Sequence, residues 1–83
     1  MSKSPRRDRL MRDFGRRLRA ARIAAGYEDA ADLARDLGIE EATYRKYERG
    51  GALPRVDVLE CIVQTTGKSL DWLLLGAAQS RRD

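Results

Sequence analysis

From Leu10 onward the apolar positions fall three or four residues apart, with Leu10, Phe14, Leu18, Ala21 and Ala25 forming one stripe. That repeat is the signature of a helix with a single buried face. It predicts a first helix from about Arg9 to Ala25 whose other faces are mostly arginine. A second stripe, Ala30, Leu33, Ala34 and Leu37, follows Asp29, a good N-cap, and ends at Gly38. A third helix is predicted from about Glu41 to Arg49, with Tyr44 and Tyr47 on one side and a Gly50-Gly51 stop. Pro54 favours a break before a fourth helix, which starts near Val56 and shows Leu59, Ile62, Val63 and Thr66 at helical spacing until Gly67. Ser69 can cap a fifth, Leu70 to Leu75. No alternating strand pattern is present, and each helix is too short to persist alone in water. The expectation is an all-α, compact five-helix domain whose stripes stabilise one another.

Length agrees with this picture. A chain of 83 residues buries only roughly 60% of the surface its unfolded form exposes, which leaves no room for a second core. The expected organisation is a basic N-terminal arm over 1–12, one domain over 13–76 and a C-terminal tail over 77–83. The longest apolar stretch, Trp72 to Leu75 followed by Gly76, Ala77 and Ala78, is far short of the roughly 20 residues of a membrane span. No apolar segment follows Arg6 and Arg7, so an export signal is not expected and the protein is placed in the cytoplasm.

Charge adds more. The formal net charge is +4, but it is unevenly distributed. Residues 1–22 hold Lys3, Arg6, Arg7, Arg9, Arg12, Arg16, Arg17, Arg19 and Arg22 against Asp8 and Asp13 alone, a net +7, and the remainder carries −3. From Gly26 to Glu41 the chain is acidic, through Glu28, Asp29, Asp32, Asp36, Glu40 and Glu41. From Ala42 to Arg55 it turns basic again, through Arg45, Lys46, Arg49 and Arg55. A polyanion would therefore meet separate basic surfaces. The segment up to Arg12 is either a disordered arm that tracks phosphates or a frayed, solubilising end, and Arg16, Arg17 and Arg19 read as a solvated face.

Enzymatic chemistry is not expected. Histidine is absent, which removes the commonest general base and metal ligand. Cys61 stands alone and neighbours Ile62, so it reads as a small buried side chain and offers neither a disulfide nor a zinc site. Gly67-Lys68-Ser69 imitates the end of a phosphate-binding loop, but Ile62 stands where the leading glycine would be and no strand precedes it. No cofactor and no metal are expected.

The informative geometry is the junction of the second and third helices. Two helices joined by a short glycine-containing turn and crossing steeply form a helix-turn-helix, which can present its second helix to a major groove. The crossing needs a small residue, which Ala34 supplies, and a turn residue tolerant of positive φ, which Gly38 supplies. Leu33, Leu37, Ile39, Tyr44 and Tyr47 are spaced to plug the angle.

Between Phe14 and Gly76 the chain resembles the Cro and lambda-repressor-like helix-turn-helix (XRE) family of DNA-binding transcriptional regulators. The resemblance is carried by Arg22 followed by Gly26, by Leu33-Ala34 to Leu37-Gly38-Ile39, by the run Thr43 to Gly50, and by Gly67 to Leu74, in order and at family-like spacing. It implies a lambda-repressor-like fold whose third helix is the recognition helix. Glu41, Ala42, Thr43, Arg45 and Lys46 would face the groove, and Arg49 and Arg55 would reach phosphates on its rim. Arg and Lys suit guanine edges or phosphates, Glu41 a cytosine amino group and Thr43 a thymine methyl. Asn is absent and the only glutamines are Gln64 and Gln79, so the usual readers of adenine are missing from the groove and a preference for G·C contacts is expected. The resemblance also implies a pair between Arg22 and Glu48 that would lock the first helix against the third.

Several positions depart from the family pattern. There is one extra residue between Gly26 and Leu33, and Ala30 stands where many relatives carry a phosphate-binding glutamine. Glu40 replaces the usual Ser or Thr cap, and with Glu41 it sets negative charge beside the expected phosphates.

The function implied is a sequence-specific, double-stranded-DNA-binding regulator, a repressor of bacterial or phage origin associated with the nucleoid. A homodimer is expected, because one helix reads only a few base pairs while a two-fold pair reads half-sites about 34 Å apart. Leu53, Trp72 and Leu75 are the expected partner surface, and no effector domain is expected after Gly76. The alternative is a protein-interaction adaptor or antitoxin-like module that binds a basic protein partner through the acidic surface of the second helix and Glu40-Glu41.

Overall fold

Glycines at left-handed φ punctuate the chain where the pattern placed its breaks: Gly38 at 76°, Gly50 at 82° and Gly67 at 80° end three successive helices. A side chain there would be strained, whereas glycine adopts this conformation freely and lets the turn satisfy the last helical carbonyls. A computed structural model, which describes residues 4–76, shows five helices: α1 (Pro5–Ala24), α2 (Ala30–Leu37), α3 (Glu41–Arg49), α4 (Val56–Thr66) and α5 (Leu70–Leu75). The fold is all-α, as expected, and there is no strand among the described residues.

The start of α1 differs from the expectation. The helix begins at Pro5, about four residues before Arg9, with the Ser4 hydroxyl accepting from the Arg7 N–H at 3.2 Å. Ser as N-cap followed by proline at the first helical position is a strong start signal. The apolar stripe does not reach this far and so could not report it. The stretch 5–12, expected as an arm, is thus continuous helix, whereas the expected tail at 77–83 lies outside the described residues. At the other end Ala25 is the exposed C-cap and not part of the buried stripe.

The core is formed by Phe14, Leu18 and Ala21 of α1, the whole α2 stripe, Tyr44 and Tyr47 of α3, Ile62 of α4 and Leu73 of α5. Tyr27, Ile39, Leu59, Val63 and Trp72 pack around it. Lys68 lies 4.7 Å from the centre of the Trp72 ring and covers its outer face as a cation–π partner. Two readings are corrected. Cys61 is exposed, because it lies off the Leu59–Ile62–Val63 stripe. Arg17 is not a solvated side chain: its guanidinium donates to the Leu73 carbonyl at 3.3 Å and ties the last turn of α5 to α1.

Candidate nucleic-acid interface

The turn between α2 and α3 is three residues long. Gly38 donates to the Arg35 carbonyl at 3.1 Å and Ile39 to the Ala34 carbonyl at 3.0 Å, which satisfies the last carbonyls of α2 and turns the chain toward α3. Ala34 is buried where the two helices approach. Asp29 caps α2 by accepting from the Ala31 N–H at 3.1 Å. Glu40, at the corresponding place before α3, makes no side-chain cap bond. Its side chain is too long to fold back as Ser or Asp does.

Helix α3 divides cleanly. Tyr44 and Tyr47 are buried, while Glu41, Ala42, Thr43, Arg45, Lys46 and Arg49 are all exposed. Every α3 residue expected at the groove thus lies on the outward side of one helix. Arg55 is apart from them, exposed at the N-cap position of α4 and paired with Asp57 at 3.0 Å. The exposed charges of α3 are not equivalent. Arg45 Nε donates to Glu41 Oε2 at 2.6 Å, and its guanidinium lies 3.7 Å from Asp29. Lys46 and Arg49 form no ion pair with any described residue.

Behind this face α3 is held by one polar cluster. Arg22, only 6% exposed, donates from Nε to Glu48 Oε2 at 2.7 Å. Its other nitrogens reach the Tyr27 and Glu28 carbonyls at 3.0 and 2.7 Å. The Tyr44 hydroxyl donates to the same Glu48 oxygen at 2.5 Å. One guanidinium therefore fixes α1, the α1–α2 loop and α3 together. The hydrogen bond to Glu48 holds the Arg22 pKa above its ordinary value, and burial, reinforced by the hydrogen bond to Glu48, pushes the Tyr44 hydroxyl far above the usual tyrosine range. Tyr44 therefore stays a donor and Arg22 stays charged.

Two contributors were not found from sequence. Gly15 is buried against α3, and a Cβ there would lie 2.4 Å from the Glu48 carbonyl oxygen and 2.7 Å from that of Tyr47. No signal within α1 reports a contact made with a helix thirty residues away. Arg12 is the second. A Cβ on Gly50 would lie 3.0 Å from Arg12 Cα and 3.2 Å from its Cγ, so the third turn of α1 runs over the C-terminal end of α3.

A family model described as a helix-turn-helix domain matches residues 13–71, the span holding the α2–α3 unit and its bracing cluster. The chain belongs to the XRE-like helix-turn-helix family. Within this family, one similar protein is the SPbeta prophage-derived uncharacterized HTH-type transcriptional regulator YonR of Bacillus subtilis strain 168, 40% identical over 63 residues. The match covers 76% of this chain and 57% of that protein, so the chain accounts for little more than half of the relative's length. No solved structure matches. No described helix of this family member is long and apolar enough to cross a membrane.

Proposed function

We propose that this chain is a sequence-specific, double-stranded-DNA-binding transcriptional regulator that inserts α3 into the major groove and represses by occupying its site as a homodimer. The observation that carries this reading is the division of α3: its polar side is unpacked and exposed, while its back is fixed by Tyr44, Tyr47 and the Arg22–Glu48 cluster. A rigid helix with a free polar face is what direct readout needs, because base discrimination depends on side chains held in register with base edges. The relative's name as a transcriptional regulator supports the same reading. Lys46, Arg45 and Thr43 are assigned to base edges together with Glu41 and Ala42, and Arg49 and Arg55 to flanking phosphates. Arg45 would exchange Glu41 and Asp29 for a base or phosphate on docking. No catalytic step belongs to this function, and its place is the nucleoid of a bacterial cytoplasm.

The test is selection of binding sites from a random duplex pool, with wild type and an Arg45→Ala, Lys46→Ala variant of verified fold. Enrichment of G·C-containing half-sites by wild type and loss of that preference in the variant are expected. Unchanged preference would move the reading surface away from α3.

The exposed carboxylates around the α2–α3 turn support one second reading, an adaptor that binds a basic protein through the acidic surface of α2 together with Glu40 and Glu41. Salt separates the two: a duplex binder weakens steeply between about 50 and 200 mM, while an adaptor shows little duplex affinity at any salt.

A further inference from the structure

The Gly50-Gly51 pair does more than end α3. Gly50 lets the backbone and Cγ of Arg12 pass directly over it, and a Cβ on Gly51 would lie 3.0 Å from Cγ and 3.8 Å from Cδ of Lys46. The stems of two cations, one from α1 and one from α3, therefore lie across adjacent glycines. Arg49 is the residue immediately before them and is also exposed. None of Arg12, Lys46 and Arg49 forms an ion pair with a described residue, as is also true of Arg6, Arg7, Arg9, Arg17, Arg19 and Lys68; what sets Arg12 apart is the passage of its stem over the end of α3. The carboxylate next to Arg12 in sequence, Asp13, is held by Arg16 at 2.7 Å, Asp8 lies one turn before Arg12 on α1 and forms no ion pair with a described residue, and Glu48 is already engaged by Arg22 and Tyr44. Three cations without an ion pair thus flank the C-terminal end of α3, and a polyanion lying there would supply the missing charge.

We propose that Arg12 is a DNA-phosphate-binding residue which, with Arg49, lets α1 grip the duplex backbone beside the base-reading side chain of Lys46. The proposal rests on the DNA-binding reading above and adds to it a second element and a ligand, the phosphodiester chain of duplex DNA. Arg12 would add affinity without sequence information, as phosphate contacts do. The helical start at Pro5 matters to this, because it fixes Arg12 within a continuous helix.

The experiment measures the salt dependence of binding to a selected duplex and to a random duplex of equal length. The proteins compared are wild type, Arg12→Gln, Arg12→Lys and Arg16→Gln. Each phosphate contact contributes about 0.9 to the slope of log affinity against log salt. Arg12→Gln is expected to reduce the slope by about 0.9 and to weaken both duplexes by the same factor, leaving the selected sequence preference unchanged. Arg12→Lys should restore most of the slope, and Arg16→Gln, whose guanidinium is held by Asp13 at 2.7 Å, should leave it as in wild type. An unaltered slope in Arg12→Gln, or a loss that Arg12→Lys fails to restore, overturns the assignment while wild-type binding stands. Absence of salt-dependent duplex binding by wild type overturns this assignment and the DNA-binding reading together.

Discussion

Glu48 accepts from both Arg22 and Tyr44 in a pocket where neither partner has free access to water. Removing one member of a buried ionic cluster strands the other, at a cost of about 3 to 5 kcal/mol. Arg22 keeps the Tyr27 and Glu28 carbonyls as acceptors, so the lower end applies. Glu48→Ala is expected to lower stability by about 3 kcal/mol, and with it the melting temperature by on the order of 10 °C or more, as measured by thermal circular dichroism. The same cluster sets a pH limit. The Tyr44 hydroxyl titrates higher in the folded chain than its unfolded value of about 10. Below that value both states hold the proton and the stabilisation is complete. Above it the unfolded chain loses its proton first, so stability falls as pH rises through the alkaline range. Tyr27, held up chiefly by its hydrogen bond to Asp36, contributes in the same direction. Urea unfolding between pH 8 and 11 should show this fall, and Tyr44→Phe should flatten it.

Among the elements, the pair α1 and α3 makes the most extensive contact, and Gly15 is what permits it. Gly15→Ala raises intrinsic helix propensity by about 1 kcal/mol, yet its methyl group would enter the space held by two carbonyl oxygens of α3. Forcing packed elements apart costs about 1 to 3 kcal/mol, and backbone atoms cannot move aside as a side chain can. Net destabilisation is expected, with weaker duplex binding as α3 is displaced; a variant more stable than wild type would show that the helices separate freely. The contrast with the other helices shows what a sequence can report. The bounds of α2 to α5 were legible because each has a local cause, a capping side chain before it or a left-handed glycine after it. The exposed face of α3 was legible from the spacing of Tyr44 and Tyr47. The start of α1 was obscured because its first turn lies outside the apolar stripe, which begins at Leu10, although Ser4-Pro5 marked it. Gly15, the Arg17 bond to Leu73 and the passage of Arg12 over Gly50 depend on contacts between distant segments, and no local pattern encodes these. Cys61 was misplaced by attending to its neighbour and not to its angular position on α4.

The whole molecule leaves apolar surface uncovered on the side formed by α4 and α5. Val56 is 81% exposed, Leu70 40% and Leu75 57%, and Val56, Leu59, Val63 and Leu70 line a groove of about 340 Å³ with Glu60 and Gln64 at its edge. Leu53 is exposed at 38% in the loop before α4, whereas Trp72 is half-buried beneath Lys68. If α3 is the reading element, a single copy contacts only a few base pairs, and useful specificity requires a second copy related by a two-fold axis, with the two recognition helices about 34 Å apart along the duplex. Such a pairing buries the same patch from both partners, and the α4–α5 face is apolar enough to supply it without using the cations of α3. Two protomers are therefore expected on a duplex carrying two half-sites and one on a duplex carrying a single half-site, as measured by light scattering of the complexes. Replacing Val56 by Lys should abolish the second binding event while leaving the melting profile of the free chain nearly unchanged, because that side chain is already largely in water. Cooperative filling of both half-sites by that variant would place the two-fold contact elsewhere on the molecule.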